Sequence, residues 1–300
     1  MPAAEFEERE FETPLYNQLQ QTSWVWSPGQ VLEGHIGFDY AALCQDSRIW
    51  DVHGIEQPFA GVLLEDLPIY LHLRRRRRPR QLPNFELNLF LQAKRPDHLK
   101  YVRKNLKSKG LSGPYWRINL ELGQQAVLEA LASQINGTGL VCYAAPAFHR
   151  LSQLYSHIRF GTMVESSTFP EALSLTGHVS WNYQCPGNVG VANIEPKLID
   201  GEALLERLAR LASERSDQND EALAENLRSL AMTVNSCADQ QFSAQESRSA
   251  LFFQHVSSIA ASLDGISGRS SEVVQNFLTV QAFCSTFGLK WFTVGSKRYA

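Results

Sequence analysis

The 300-residue sequence predicts a mixed α/β fold followed by a mostly helical part. Three observations carry this expectation. Phe85 to Ala93 (FELNLFLQA) alternates side-chain character with the period of two that a strand imposes. Leu140 to Ala145 (LVCYAA) is a short continuous apolar run, the pattern of a central strand covered on both faces. Beyond Asp200, leucines and other apolar residues recur at helical spacing.

Taken in order, Glu5 to Gln21 reads as a helix, because Phe11, Leu15 and Leu19 fall at i, i+4 and i+8. Pro14 interrupts the pattern, which places the start near Thr13 with the proline in the first turn. Ser27-Pro28-Gly29 is a turn, and His35 to Leu43 reads as a strand that contains Asp39. Leu67 to Leu73 is a second strand and Phe85 to Ala93 a third. In the third, Phe85, Leu87, Leu89 and Leu91 share one face, and Glu86, Asn88, Phe90 and Gln92 the other. Leu122 to Ile135 is helical, with Val127, Leu131 and Ile135 on one stripe, and Asn136-Gly137-Thr138-Gly139 stops it. The apolar strand Leu140 to Ala145 follows.

Pro146 to Pro196 shows no clear period. Four helices then follow, marked by Leu204/Leu208/Leu211, Leu223/Leu227/Leu230, Phe252/Val256/Ile259/Leu263 and Val274/Phe277/Leu278. Ser216 to Asp220 is a loop between the first two, and Lys290 to Val294 is a last short strand. The change of character sets an expected boundary near residue 200. Residues 1–200 form the α/β domain, and 201–300 a helical domain for assembly or partner binding.

The formal net charge of −3 hides a local asymmetry. Residues 74–117 hold fourteen basic and two acidic residues, a charge of +12, so the remainder carries −15. One basic segment on an otherwise acidic chain points to a polyanion site. Arg74, Arg75, Arg76, Arg77, Arg78 and Arg80 read as phosphate contacts, with Arg95, Lys100, Arg103, Lys104 and Lys107 as further backbone clamps. The five cysteines are scattered and show no C-x-x-C pair, which argues against a zinc ribbon or a disulfide scaffold. No secretory leader and no membrane-spanning run is evident, so a cytoplasmic, membrane-free setting is expected.

Asp39 sits in an apolar strand, where a lone carboxylate is costly unless paired or bound to a metal. Gln92 and Lys94 lie on one face of the third strand. An acid, an oxygen donor and a lysine at one end of a sheet suit a divalent cation beside a phosphate or an attacking water. Tyr115 and Trp116 read as packing residues, with base stacking as the alternative. His178, Trp181 and Asn193 read as structural, and His149 and His157 are not at zinc-ligand spacing with any cysteine.

The order of helix, strand with Gly37-Phe38-Asp39, two further strands ending in Gln92-Ala93-Lys94, helix and strand resembles the PD-(D/E)XK, or restriction-endonuclease-like, nuclease superfamily. The resemblance covers residues 5–148 and extends more weakly to 196. It implies an α-β-β-β-α-β core with a mixed sheet and a Mg²⁺ (or Mn²⁺) cofactor. Asp39, Gln92 and a first-helix glutamate, Glu12 or Glu8, would hold the metal, and Lys94 would act on water or phosphate. Gln124 or Gln125 matches the glutamine that some branches carry on the later helix. The implied activity is hydrolysis of DNA phosphodiesters, and the implied setting is bacterial anti-phage defence, as a homo-oligomer or with a partner protein. Gln92 brings a neutral amide where the family usually has a carboxylate. That feature opens a second reading, a catalytically inactive DNA-binding or scaffold subunit. A third reading is a protein-interaction module whose arginines bind an acidic partner.

Overall fold

The computed structural model describes residues 3–21, 25–26, 85–215, 223–240, 246–262 and 269–295. The strands expected at 35–43 and 67–73, with Asp39 and Arg74 to Arg80, lie outside the described residues, as does the 216–220 loop.

Helix α1 (Glu8–Gln21) begins earlier than Thr13, and Pro14 lies inside it. Two forces outweigh the amide hydrogen lost at the proline. The Glu7 backbone N–H donates to Glu10 Oε2 at 2.7 Å, closing the first turn. Phe11, Leu15 and Leu19 are fully buried, so one apolar stripe runs through the proline.

The elements that follow are β1 (Val25–Trp26), β2 (Phe85–Ala93), β3 (Asp97–Leu99), α2 (Lys104–Lys107), β4 (Tyr115–Asn119), α3 (Leu122–Gln134) and β5 (Gly139–Pro146). Next come α4 (Leu151–Phe160), β6 (Ser167–Thr168), a 3₁₀ turn (Leu173–Leu175), β7 (Ser180–Tyr183), β8 (Asn188–Asn193) and β9 (Lys197–Gly201). The chain then forms α5 (Leu204–Arg215), α6 (Leu223–Gln240), α7 (Glu246–Ser262), α8 (Arg269–Phe287) and β10 (Lys290–Gly295). This is a mixed α/β fold, as the sequence predicts. Among the described residues, no helix is long and apolar enough to cross a membrane.

The first sheet has the order β1-β10-β2-β5-β6. Strands β2 and β5 are parallel, with Leu91 opposite Cys142, and α3 is the crossover between them. Strand β10 is antiparallel to β2, with Lys290 opposite Leu91, so the sheet is mixed. The alternation read from the sequence holds. Leu87, Leu89, Leu91 and Ala93 join Phe11, Leu15 and Leu19 of α1 and Leu204, Leu208 and Ala212 of α5 in one core. On the opposite face Phe90 stacks on Trp291 at 6.1 Å, and Trp291 Nε1 donates to Asn88 Oδ1 at 2.9 Å. Asn88 Nδ2 in turn donates to Asn226 Oδ1 of α6 at 3.0 Å.

The second sheet, β3-β4-β7-β8-β9, is antiparallel throughout, and its strands β7 and β8 lie with α4 and β6 in the stretch whose period the sequence left unread. The expected boundary near residue 200 falls inside one compact unit that holds the described residues on both sides of it. The physical reason is β10, which returns from the helical region and pairs with β2 inside the first sheet.

Candidate functional site

The end of β2 is the focus. The Lys94 backbone N–H donates to the Ala144 carbonyl at 2.8 Å, which fixes the strand end against β5. Strand β10 begins opposite Leu91, so it does not pair with Gln92 or Ala93. Gln92 is 3% exposed, and its Oε1 has no hydrogen-bond partner among the described residues. A buried amide oxygen left without a donor costs roughly 1–3 kcal/mol. An amide oxygen of this kind can take either a hydrogen-bond donor or a hard cation.

Lys94 Nζ donates to Gln124 Oε1 at 2.9 Å, and Gln124 Nε2 donates to the Phe287 carbonyl at 2.7 Å. Gln124 lies in the first turn of α3 and Phe287 is the last residue of α8, so three elements hold the lysine. Gly288 follows at φ +69°, the left-handed turn that ends α8. A Cβ there would lie 3.4 Å from Gln124 Nε2 and 3.8 Å from Gln92 Nε2, so the turn also packs against both amides.

The acidic side of the site comes from α1. Glu8 Oε2 accepts from the Arg95 backbone N–H at 3.3 Å, which brings this carboxylate to the residue after Lys94. Burial lowers the Lys94 pKa, Glu8 and Glu121 oppose the shift, and Arg248 adds to it. Burial first and Glu8 second raise the pKa of Glu12. Tyr16, one turn further along α1, lies beside Glu12 and the Ala93 backbone, and its buried hydroxyl makes no well-formed hydrogen bond. Burial and both glutamates hold its proton well above the usual tyrosine range.

Lys94 and Gln92 meet Gln124 and the Gly288 turn on the face of β2 away from α1, while Glu8 reaches the strand end at the Arg95 backbone N–H and Glu12 lies beside Tyr16 on the α1 side. Of the two glutamines, Gln124 enters the site. Gln125 instead accepts from the Tyr143 hydroxyl at 2.5 Å and donates to the Ala172 carbonyl at 2.9 Å. Asp39 lies outside the described residues, and among those described no group of three or more His, Cys, Asp or Glu could hold a metal.

Arg95, expected as a phosphate contact, makes contacts toward the N-terminal segment. Its Nη1 pairs with Glu7 at 2.9 Å and its Nε donates to the Ala4 carbonyl at 3.2 Å. Lys100, Arg103 and Lys104 are exposed. Tyr115 is buried, and Trp116 stacks on Tyr183 at 5.9 Å, which bears out their reading as packing residues. Arg117 Nη2 pairs with Asp97 at 2.9 Å.

The sequence reading missed Tyr16, Phe287 and Gly288. Tyr16 carried a signal, since it continues the Glu8–Glu12 face of α1 at i+4. Phe287 and Gly288 carried none, because a backbone carbonyl and a turn far along the chain leave no local pattern. No protein-family profile, curated protein or solved structure matches this chain.

Proposed function

We propose that the chain is a metal-dependent nuclease that hydrolyses DNA phosphodiesters at the end of β2. The observation that carries this reading is the pairing of an unsatisfied buried oxygen, Gln92 Oε1, with a positioned half-buried ammonium, Lys94 Nζ. Glu8 reaches the same strand end. A hard cation fits this donor chemistry. The nuclease resemblance implies Gln92, Glu12 or Glu8, and Asp39 as its ligands, and when bound it would supply Lewis-acid activation of water and phosphate. Lys94 contributes a fixed positive charge aimed at developing phosphate charge, held by Gln124 at no reorganisation cost during reaction. Ionised Glu12 is disfavoured by burial and by Glu8, so a cation arriving beside it relieves a cost already present.

The neutral amide of Gln92 favours a second reading, an inactive DNA-binding or scaffold subunit of the same fold. Plasmid cleavage with Mg²⁺ or Mn²⁺ separates the two when wild type is compared with Asp39→Ala and Lys94→Ala. Cutting by wild type that both variants abolish supports the nuclease. DNA binding without cutting supports the inactive reading, and equal residual cutting by all three removes the site.

A further inference from the structure

Tyr101 is 87% exposed, the most exposed large apolar or aromatic side chain among the described residues. It lies between β3 and α2, in the segment leaving the candidate site through Pro96 and β3. Exposure is not a failure of local packing. Leu99, Val102, Leu106 and Leu111 from the same segment pack with Tyr115 and Val191 in a small core of their own. That core seats the loop and leaves Tyr101 outside.

Basic residues dominate the chain around Tyr101, while at the start of α4 the Leu151 backbone N–H donates to the Glu5 carboxylate at 3.0 Å. Residues 98–120 hold six basic and no acidic side chains. Lys100, Arg103, Lys104 and Lys107 are exposed and have no ion-pair partner among the described residues. Asp97, the nearest acid in the chain before this stretch, is held by Arg117 at 2.9 Å. Arg150, at the start of α4, adds an exposed cation from a second element, since the ring of the preceding His149 stacks on His98 at 3.7 Å.

We propose that Tyr101 and these cations form a platform for single-stranded nucleic acid, with an unpaired base stacked on the Tyr101 ring and phosphates on Lys100, Arg103, Lys104, Lys107 and Arg150. A duplex offers this surface its backbone but keeps its bases stacked inside. A strand with unpaired bases uses both the ring and the cations. The same charges without bases would use the cations alone. The proposal rests on the nuclease reading only for its claim that the bound strand is the substrate, Tyr101 lying seven residues after Lys94 in the chain.

The test is binding by the full chain in chelator, where no cation-dependent cutting intervenes. The probes are fluorescent oligodeoxyuridylate and oligouridylate of about 12 nucleotides, a duplex of the same length, and inorganic polyphosphate. Tyr101→Ala is expected to weaken single-strand binding by roughly 5- to 100-fold and to leave duplex and polyphosphate binding unchanged. Tyr101→Phe keeps wild-type binding, whereas Tyr101→Leu, which keeps apolar bulk without a π-face, loses it. Binding of either oligonucleotide in this pattern supports the platform, and the tighter of the two identifies the sugar. Wild-type single-strand affinity in Tyr101→Ala overturns the proposal. So does equal loss on duplex and polyphosphate, which would mark an unspecific charged or protein-binding face. Cleavage that survives without single-strand binding removes the platform and leaves the nuclease. Single-strand binding without cleavage does the reverse.

Discussion

Lys94 Nζ donates to Gln124 Oε1 at 2.9 Å, tying the residue after β2 to the first turn of α3. Gln124 hands the constraint on to Phe287 at the end of α8. Gln124→Leu removes both bonds at once. We predict a stability loss of about 1–3 kcal/mol in thermal or urea melts. We also predict a fall in cleavage on the order of 100-fold, because Lys94 loses its orientation. Gln125→Leu is the control. It strips the Tyr143 hydroxyl of its acceptor, so it lowers stability while cleavage by the folded protein stays near wild type.

Glu12 has a folded-state pKa above its ordinary value of 4.5, from burial first and Glu8 second. The folded chain therefore holds a proton at Glu12 over a range of pH where the unfolded chain has lost it. Ionised Glu12 costs stability above that range. Glu12→Gln should raise the melting temperature at neutral pH, and the gain should vanish as pH falls below 4.5, where both states are protonated. The same variant should lose cation-dependent cleavage. Melting curves across pH with a parallel cleavage assay check both outcomes.

Gly288 and Gly161 both end helices with positive φ, at +69° and +63°. Alanine at either should cost about 1–2 kcal/mol of backbone strain. Only at Gly288 does a Cβ meet the Gln124 and Gln92 side chains, while at Gly161 nothing lies within 4 Å. Matched losses of stability with lower cleavage only in Gly288→Ala is the expected pattern.

Strand β10 lies between β1 and β2, and Trp291 is bonded to Asn88. A chain truncated after Gly288 should therefore fail to form the first sheet, seen as loss of cooperative unfolding. Asn88→Leu should cost about 1–3 kcal/mol, since it leaves the Trp291 N–H buried without its acceptor.

Local pattern made much of this legible. The β2 span Phe85–Ala93 and its two faces follow from period-two alternation, and α3 and β5 follow from their stripe and apolar run. Gln92 and Lys94 stood out in the sequence because alternation puts both on one face at the strand end. What escaped depends on residues far apart in sequence. Burial of Phe11, Leu15 and Leu19 overrides the proline signal at the start of α1. The second sheet escaped because its strands are short and Trp181 and Tyr183 are buried beside equally buried Ser180 and Asn182, which erases alternation. The separation expected at residue 200 failed to anticipate β10, whose partner lies some 200 residues earlier in the chain.

The most direct test of the central claim is cleavage of labelled DNA in Mg²⁺ by wild type, Lys94→Met and Gln92→Leu, each matched for folding by its melting curve. The account predicts Mg²⁺-dependent cutting by wild type and a loss of about 100-fold or more in each variant. Equal cutting by all three, or cutting that persists in chelator, would contradict it.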